Sequence, residues 1–407
     1  MTPELGLIVF LGLVLAYALV GRRLAESVLT APMIFLVGGY VCAVTGLVGF
    51  QSADHGLQIL AEVALVVLLF ADAAMIDPRA LWRGAGNPAR MLLIGLPLVI
   101  AMGFVVGVLL LPGWPLWEIA LLAALLAPTD AALGQSVITN PRIPERMRRA
   151  LSAESGLNDG LALPFVVFFG CFAVGGIHDQ VPTSWWVFVG EQVGFGALAG
   201  AAVGWAGAWL LRLAQGRGLS SDSLGGLAVL ALAGLAYMLA HEIHGNGFIA
   251  AFVAGLMFGE VLRGRCDFVF EFIETEGQLL SVFAFFAIGA LLLPTGFDHV
   301  TLALAVFVGL SLFLLRPAAI WLSLAGTRTP PRERAFYGWF GPRGLATALF
   351  ALLVLDSFEN LQMREGILAT AALAVTASAF LHGATAAPAG RFFAQQSGSK
   401  SAGDATV

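Results

Sequence analysis

Charge is scarce in this chain. Only 12% of its 407 residues are Asp, Glu, Lys or Arg, about half the quarter usual in a soluble domain. Hydrophobic residues make up 59%, and mean hydropathy is +0.88. A water-soluble globule of this length is excluded. The apolar runs also lack the polar/apolar alternation of a transmembrane β-barrel; they are continuous over about 20 residues, the length of helix that spans hydrocarbon. Cysteine is nearly missing. Cys42, Cys171 and Cys266 lie in distant segments without paired spacing, which provides neither a disulfide framework nor a metal signature. No basic stretch or cleavage signal precedes the first apolar run, so that run is expected to be a retained span rather than a signal peptide. The net charge of −5 leaves no footprint for nucleic acid, and none is expected as a partner. Membrane lipid is.

What is present is a series of apolar windows divided by Pro, Gly and charge. They predict an all-α polytopic membrane protein with about 13 transmembrane helices, at roughly 4–20, 29–49, 56–75, 89–111, 116–138, 147–174, 185–213, 223–240, 246–262, 276–293, 300–325, 334–355 and 364–386. The ninth is short and glycine-rich. Basic residues test this count. Alternate loops and the C-terminal tail carry eighteen of the 21 Lys and Arg, including Arg142, Arg146, Arg148 and Arg149, while the opposite face receives only Arg364. By the positive-inside rule the N-terminus is expected outside and the C-terminus in the cytoplasm, with the chain in the inner (plasma) membrane. Residues 1–389 then form the membrane domain. Residues 390–407 form a short Ser/Gly/Ala-rich tail, expected to be disordered and too short for a soluble regulatory domain.

Two of the apolar segments are interrupted. "LLAPTDAAL" places Pro128 near the middle of the fifth, followed by Thr129 and Asp130, and "WFGPRGLATAL" places Gly341, Pro342, Arg343 and Gly344 in the twelfth. Proline removes a helical hydrogen bond, and freed backbone groups are tolerated at depth only inside protein or beside an aqueous cavity. Each break falls in the fifth helix of a six-helix half, with the seventh helix as linker. That pattern predicts two inverted six-helix repeats and a secondary transporter. The bland alternative is a pair of kinked helices, which charges at both matched breaks make a poor fit.

The sixth segment adds the acidic residues. Glu154 and Asn158 are four apart and share a face; Asp159 lies about 7.5 Å beyond Glu154 along the axis, rotated by about 140°. Asp130 lies about fourteen residues into its helix, near the same depth. A hard cation such as Na+ takes oxygen ligands, and the candidates are the Asp159 and Asp130 carboxylates, the Ser155 and Thr129 hydroxyls, and carbonyls freed at Pro128. Buried carboxyls held close together also take up protons readily, so cation and proton compete for the same oxygens, with Asp159 as the principal titrating group. Arg316 in the eleventh segment matches the depth of Glu154, which predicts an ion pair, since an unpaired charge there is costly. Snorkelling of Arg316 to the interface is the alternative. Arg343 reads two ways: compensation of half-helix ends, or a position in a solvated cytoplasmic funnel.

The block "APTDAALGQSVITNPRIPERMRRALSAESGLNDGLALP" together with "GPRGLATALFALLVL" resembles the monovalent cation:proton antiporter-1 family, specifically bacterial NhaP-type sodium/proton antiporters. The resemblance covers about residues 5 to 387. It implies thirteen helices, with broken helices 5 and 12 crossing in a mobile core domain (about 116–174 and 300–386 plus 56–75) and the others serving as scaffold and homodimer interface. It implies exchange of Na+ or Li+ for H+, with K+/H+ exchange as the alternative, and transport rather than enzymatic chemistry. Carried onto this chain, Thr129, Asp130, Asn158 and Asp159 flank the ion, Ser155 is a further ligand, and Glu154 pairs with Arg316. Asn158 in place of a second aspartate is the pattern associated with electroneutral one-for-one exchange, and it is expected to tie the unwound segment at Thr129. No cofactor is implied beyond the transported ions, and neither a long regulatory tail nor a nucleotide-binding appendage is expected. The departure is Ala131, where many relatives have proline, which leaves Pro128 alone to break the fifth helix.

Other signals are weaker. His241 and His244 in "HEIHGNG" have metal-like spacing but no third ligand nearby, so a loop role is expected. His55, His178 and His299 fall in outer loops. Glu62, Asp72 and Glu191 receive no role, Asp72 because it lies near the cytoplasmic end of its helix. An intramembrane aspartyl protease would place its second aspartate after Gly-x-Gly, whereas here the context is Leu-Asn-Asp-Gly. A cation channel would need no titrating site.

Overall fold

A computed structural model describes residues 3–24, 27–47, 55–76, 86–174, 185–220, 222–263, 267–358 and 360–403. Among them the secondary structure is entirely helical. In chain order the helices are α1 (Pro3–Leu24), α2 (Ala31–Val44), α3 (His55–Met75), α4 (Asn87–Leu110), α5a (Leu116–Leu125), α5b (Ala131–Ile138), α6 (Glu145–Ala173), α7 (Trp185–Gly216), α8 (Asp222–Glu242), α9 (Gly247–Leu262), α10 (Asp267–Phe297), α11 (Leu302–Ser323), α12a (Pro331–Trp339), α12b (Leu345–Ser357) and α13 (Arg364–Gly403). Seven contain stretches long and apolar enough to cross a membrane, and six shorter apolar helices fall in the other traverses. Counting α5a/α5b and α12a/α12b as one traverse each, these are the thirteen expected segments.

Two boundaries depart clearly from expectation. Helix α10 begins at Asp267 rather than near 276, because its first turns are too acidic for a hydropathy window to include them. Helix α13 continues through Pro388 to Gly403, so residues 390–403 of the expected disordered tail are helical. The stretch "AGRFFAQQ" is compatible with helix, and the preceding turns provide a template for elongation. Helix α9, the least distinct segment in sequence, owes its glycines to close packing. A side chain at Gly255 or Gly259 would collide with the α3 backbone at Phe70 or Ala74, and from α7 Gly200 and Gly204 approach Ala250 and Ala254 of α9 in the same way. Small residues allow such contacts between membrane helices.

The two halves share a second, unforeseen irregularity. Helix α4 contains a π-helical segment at Met91–Gly95, and α11 contains one at Ser311–Leu315. Each is followed by X-Pro, Leu96-Pro97 and Arg316-Pro317, and the residue before proline donates its N–H five residues back, to Met91 and Ser311. Proline lacks the N–H that an α-helical ladder would use, and the wider turn absorbs the mismatch. α4 and α11 are the fourth helices of their halves, as α5 and α12 are the fifth. The first segment packs against the part of α11 that follows the second: a side chain at Gly95 would meet Ile320 and Ser323. The same symmetry appears at Glu118 and Glu333, each the third residue of its half-helix. Glu118 of α5a is fully buried and accepts the Gln362 and Met363 N–H groups at the start of α13, both at 2.8 Å. Glu333 of α12a pairs with Arg146 at the start of α6.

Candidate ion site at the crossing of two broken helices

The two breaks are in contact. Asp130 donates its backbone N–H to the Pro342 carbonyl at 2.8 Å. Its side chain begins α5b as an N-cap: Oδ1 accepts from Ala132 N at 2.7 Å and Leu133 N at 3.3 Å. Oδ2 accepts from Leu345 N, the first residue of α12b. One carboxylate thus meets the N-termini of two half-helices, whose dipoles complement its charge. Gly344 makes this possible, because a Cβ there would overlap the Asp130 carboxylate.

Arg343 serves the opposite ends. Fully buried, it donates through Nη1 to the Ala127 and Pro128 carbonyls at 3.0 and 3.1 Å, the acceptors released where α5a stops. Of its two readings from sequence, compensation of a half-helix end is the one observed. The break in α5 therefore does not depend on Pro128 alone.

A buried network adjoins the crossing. Arg316 forms a bidentate pair with Glu154, Nη1 to Oε1 at 3.1 Å and Nη2 to Oε2 at 3.0 Å, and both side chains are 3% exposed. The guanidinium passes Gly341, where any Cβ would occupy the same space. Asn158 accepts the Thr129 N–H at 3.2 Å and donates to the Thr129 hydroxyl and to Glu154 Oε1. The Thr129 hydroxyl also lies 3.1 Å from Ser155 Oγ and 3.4 Å from Glu154 Oε2. Glu154, Ser155, Asn158, Thr129 and Arg316 are therefore one network, in which Asn158 ties the unwound segment.

Asp159 stands apart from it. The residue is half-buried, and its Oδ1 is enclosed without a hydrogen-bond partner. It lines a cavity of about 1100 Å³ together with Asp130 and, from α3, Asp72. Gln135 of α5b and Ser281 of α10 add polar groups to the wall, and Arg146, Arg148 and Arg149 line it in the first turns of α6. Of the proposed ligands, Asp130 and Asp159 reach the cavity, whereas Thr129 and Ser155 belong to the adjoining network. Sequence reasoning passed over Asp72, whose place near a helix end suggested solvation, and missed Glu118, Ser378 and His382.

Of the histidines in "HEIHGNG", His241 lies in the last turn of α8 rather than in a loop, and His244 has local work. His244 takes the left-handed conformation (φ 62°) that ends α8, with Gly245 N–H bonded back to Ala240, a helix C-cap. Asn246 then caps α9 through Phe248 N and Ile249 N. His178 and Cys266 lie outside the described residues, as does the side chain of His55.

Two half-helix pairs crossing beside a carboxylate-lined cavity define a membrane transporter architecture. The chain belongs to the family described as "Sodium/hydrogen exchanger, transmembrane", which it matches over residues 3–391. It is 28% identical over 347 residues to the K(+)/H(+) antiporter NhaP of Alkalimonas amylolytica, covering 82% of this chain and 57% of that protein. It is 27% identical over 356 residues to the K(+)/H(+) antiporter NhaP2 of Shewanella sp. (strain MR-4), covering 83% and 60%. A yeast protein, the Na(+)/H(+) antiporter 2 of Zygosaccharomyces rouxii, is 30% identical over 275 residues, covering 62% and 33%. The chain thus spans about three fifths or less of the length of these curated relatives. Its fold is similar to that of the sodium proton antiporter MjNhaP1 from Methanocaldococcus jannaschii, with a TM-score of 0.75 at 19% identity, covering 95% of this chain and 96% of that one.

Proposed function

We propose that the chain is a secondary active transporter that exchanges Na+ or Li+ for H+, one for one, by alternating access. The observation that carries this reading is Asp159: a half-buried carboxyl with one oxygen free of protein partners, on the wall of a cavity shared with Asp130 and Asp72. Such a group holds either a proton or a cation. Both loaded forms carry the same net charge and so cross without net charge movement, whereas the empty ionised site faces the cost of an uncompensated charge in hydrocarbon. Asp130 contributes the second carboxylate, already oriented by three N–H donors. Thr129 and Ser155 supply hydroxyls from the adjoining network, and Glu154, Arg316, Asn158 and Arg343 hold the frame.

In this reading α3, α5, α6 and α11–α13 move as a core unit against the remaining helices, which carry the homodimer. The arginine-rich face is cytoplasmic by the positive-inside rule, so the cavity opens inward, the N-terminus lies outside and the C-terminus inside, in the cell membrane. The names of two relatives favour K+ as a second reading of the cargo, and carboxylate and hydroxyl oxygens suit either ion. The test is reconstitution in liposomes with an imposed pH gradient and an internal pH dye, adding Na+, Li+ and K+ in turn. Dequenching by Na+ and Li+ is expected. A response to K+ alone moves the cargo to the second reading, and silence to all three removes antiport.

A further inference from the structure

Next to the second break lies a polar pair that the ion site does not use. Ser378 and His382, one turn apart on α13, are both buried. Ser378 Oγ accepts the Arg343 N–H at 2.6 Å and lies 3.0 Å from His382 Nδ1. On the other side of the ring, His382 Nε2 lies 2.8 Å from the carbonyl of Trp339, the last residue of α12a. The Trp339 indole flanks the imidazole, with centroids 5.2 Å apart. A carbonyl brings no proton, so Nε2 must carry one. In the neutral ring Nδ1 is then an acceptor. It also lies 2.9 Å from the Ser378 carbonyl, but of the two Ser378 oxygens only the hydroxyl can donate to it. That orientation turns a hydroxyl lone pair to Arg343.

The first half contains the counterpart. Thr129 follows Pro128 as Arg343 follows Pro342, and the Thr129 N–H is accepted by Asn158 on α6, the last helix of its half, as α13 is of the second. Asn158 adjoins the ion site directly. Ser378 reaches it through Arg343, whose guanidinium holds the Ala127 and Pro128 carbonyls, and through Leu345, whose N–H holds Asp130.

We infer that Ser378 and His382 are positioning residues, a brace that fixes the second break and through it the Asp130 cradle, and so set cation affinity without touching the ion. The transport readout rests on the antiporter reading above; a second readout does not. In purified protein, S378A and H382A are expected to speed deuterium uptake by a peptide covering residues 340–345. In liposomes each raises the apparent cation KM roughly fivefold, the effect of one lost hydrogen bond. The double variant adds little to S378A, because both act through the same N–H. H382Q, whose amide nitrogen can still donate to the Trp339 carbonyl, recovers most of the affinity, and H382L does not. A role in packing alone lowers yield or melting temperature with KM unchanged and makes H382L as good as H382Q, which overturns the brace. If the unaltered protein moves no proton in response to any cation, the antiporter reading fails on its own. Faster uptake by 340–345 in S378A then still supports the brace, and unchanged uptake overturns it.

Discussion

Asp130 and Asp159 line one cavity under different constraints. Asp130 is engaged by Ala132, Leu133 and Leu345, so its carboxylate is oriented by the fold, while Asp159 keeps an oxygen without a partner. The proposed exchange requires the freer group. Asp159→Asn is therefore expected to abolish cation-driven proton flux while size-exclusion chromatography shows normal assembly, and sustained flux moves the role to another residue. Asp72→Asn removes one of the four acidic side chains that line the cavity, the others being Asp130, Glu145 and Asp159. It is expected to raise the apparent cation KM while leaving the rate at saturating cation largely intact; loss of the saturating rate would place Asp72 in the exchange step. Much of this site is legible in the sequence, because carboxylates and arginines are rare inside apolar helices and each demands a partner. Glu118, Ser378 and His382 are not, because their partners are chiefly backbone groups remote in sequence, which no pattern of side chains records.

At the scale of elements, specific partners brace the breaks: Arg343 holds the Ala127 and Pro128 carbonyls past the end of α5a, Asp130 holds N–H groups at the starts of α5b and α12b, and His382 meets the Trp339 carbonyl at the end of α12a. The Glu154–Arg316 pair fastens α6 to α11 beside them. Glu154→Ala or Arg316→Ala leaves a buried charge alone and is expected to cost about 3–5 kcal/mol. The double variant should cost little more than either single one, and additive losses in denaturation would show that the two charges act independently. Gly341→Ala puts a methyl group where the Arg316 guanidinium lies, an overpacking expected to cost about 1–3 kcal/mol; an unchanged melting temperature would contradict that close approach. Both breaks are readable from Pro128 and Pro342 within charged surroundings. The π-helical segments are not, although Pro97 and Pro317 mark them, because a lone proline in an apolar helix is equally compatible with a simple kink. The acidic start of α10 and the extension of α13 past Pro388 escape hydropathy for a plainer reason: that scale measures transfer to lipid, not helix formation.

Taken as a whole, the molecule comprises two six-helix halves with matched π segments, matched breaks and matched glutamates, joined by α7. The halves meet where the breaks cross, beside a cavity that reaches the arginine-rich first turns of α6. In the proposed mechanism a single cation replaces a single proton at Asp159. The most direct measurement of that claim is proton release from purified protein in weakly buffered detergent solution as NaCl is added, with choline chloride as the control for ionic strength. The account predicts saturable release approaching one proton per chain, with a cation midpoint that rises as pH falls, and no release from Asp159→Asn. Absence of release from the unaltered protein under conditions where it transports, or release that persists in Asp159→Asn, would contradict it.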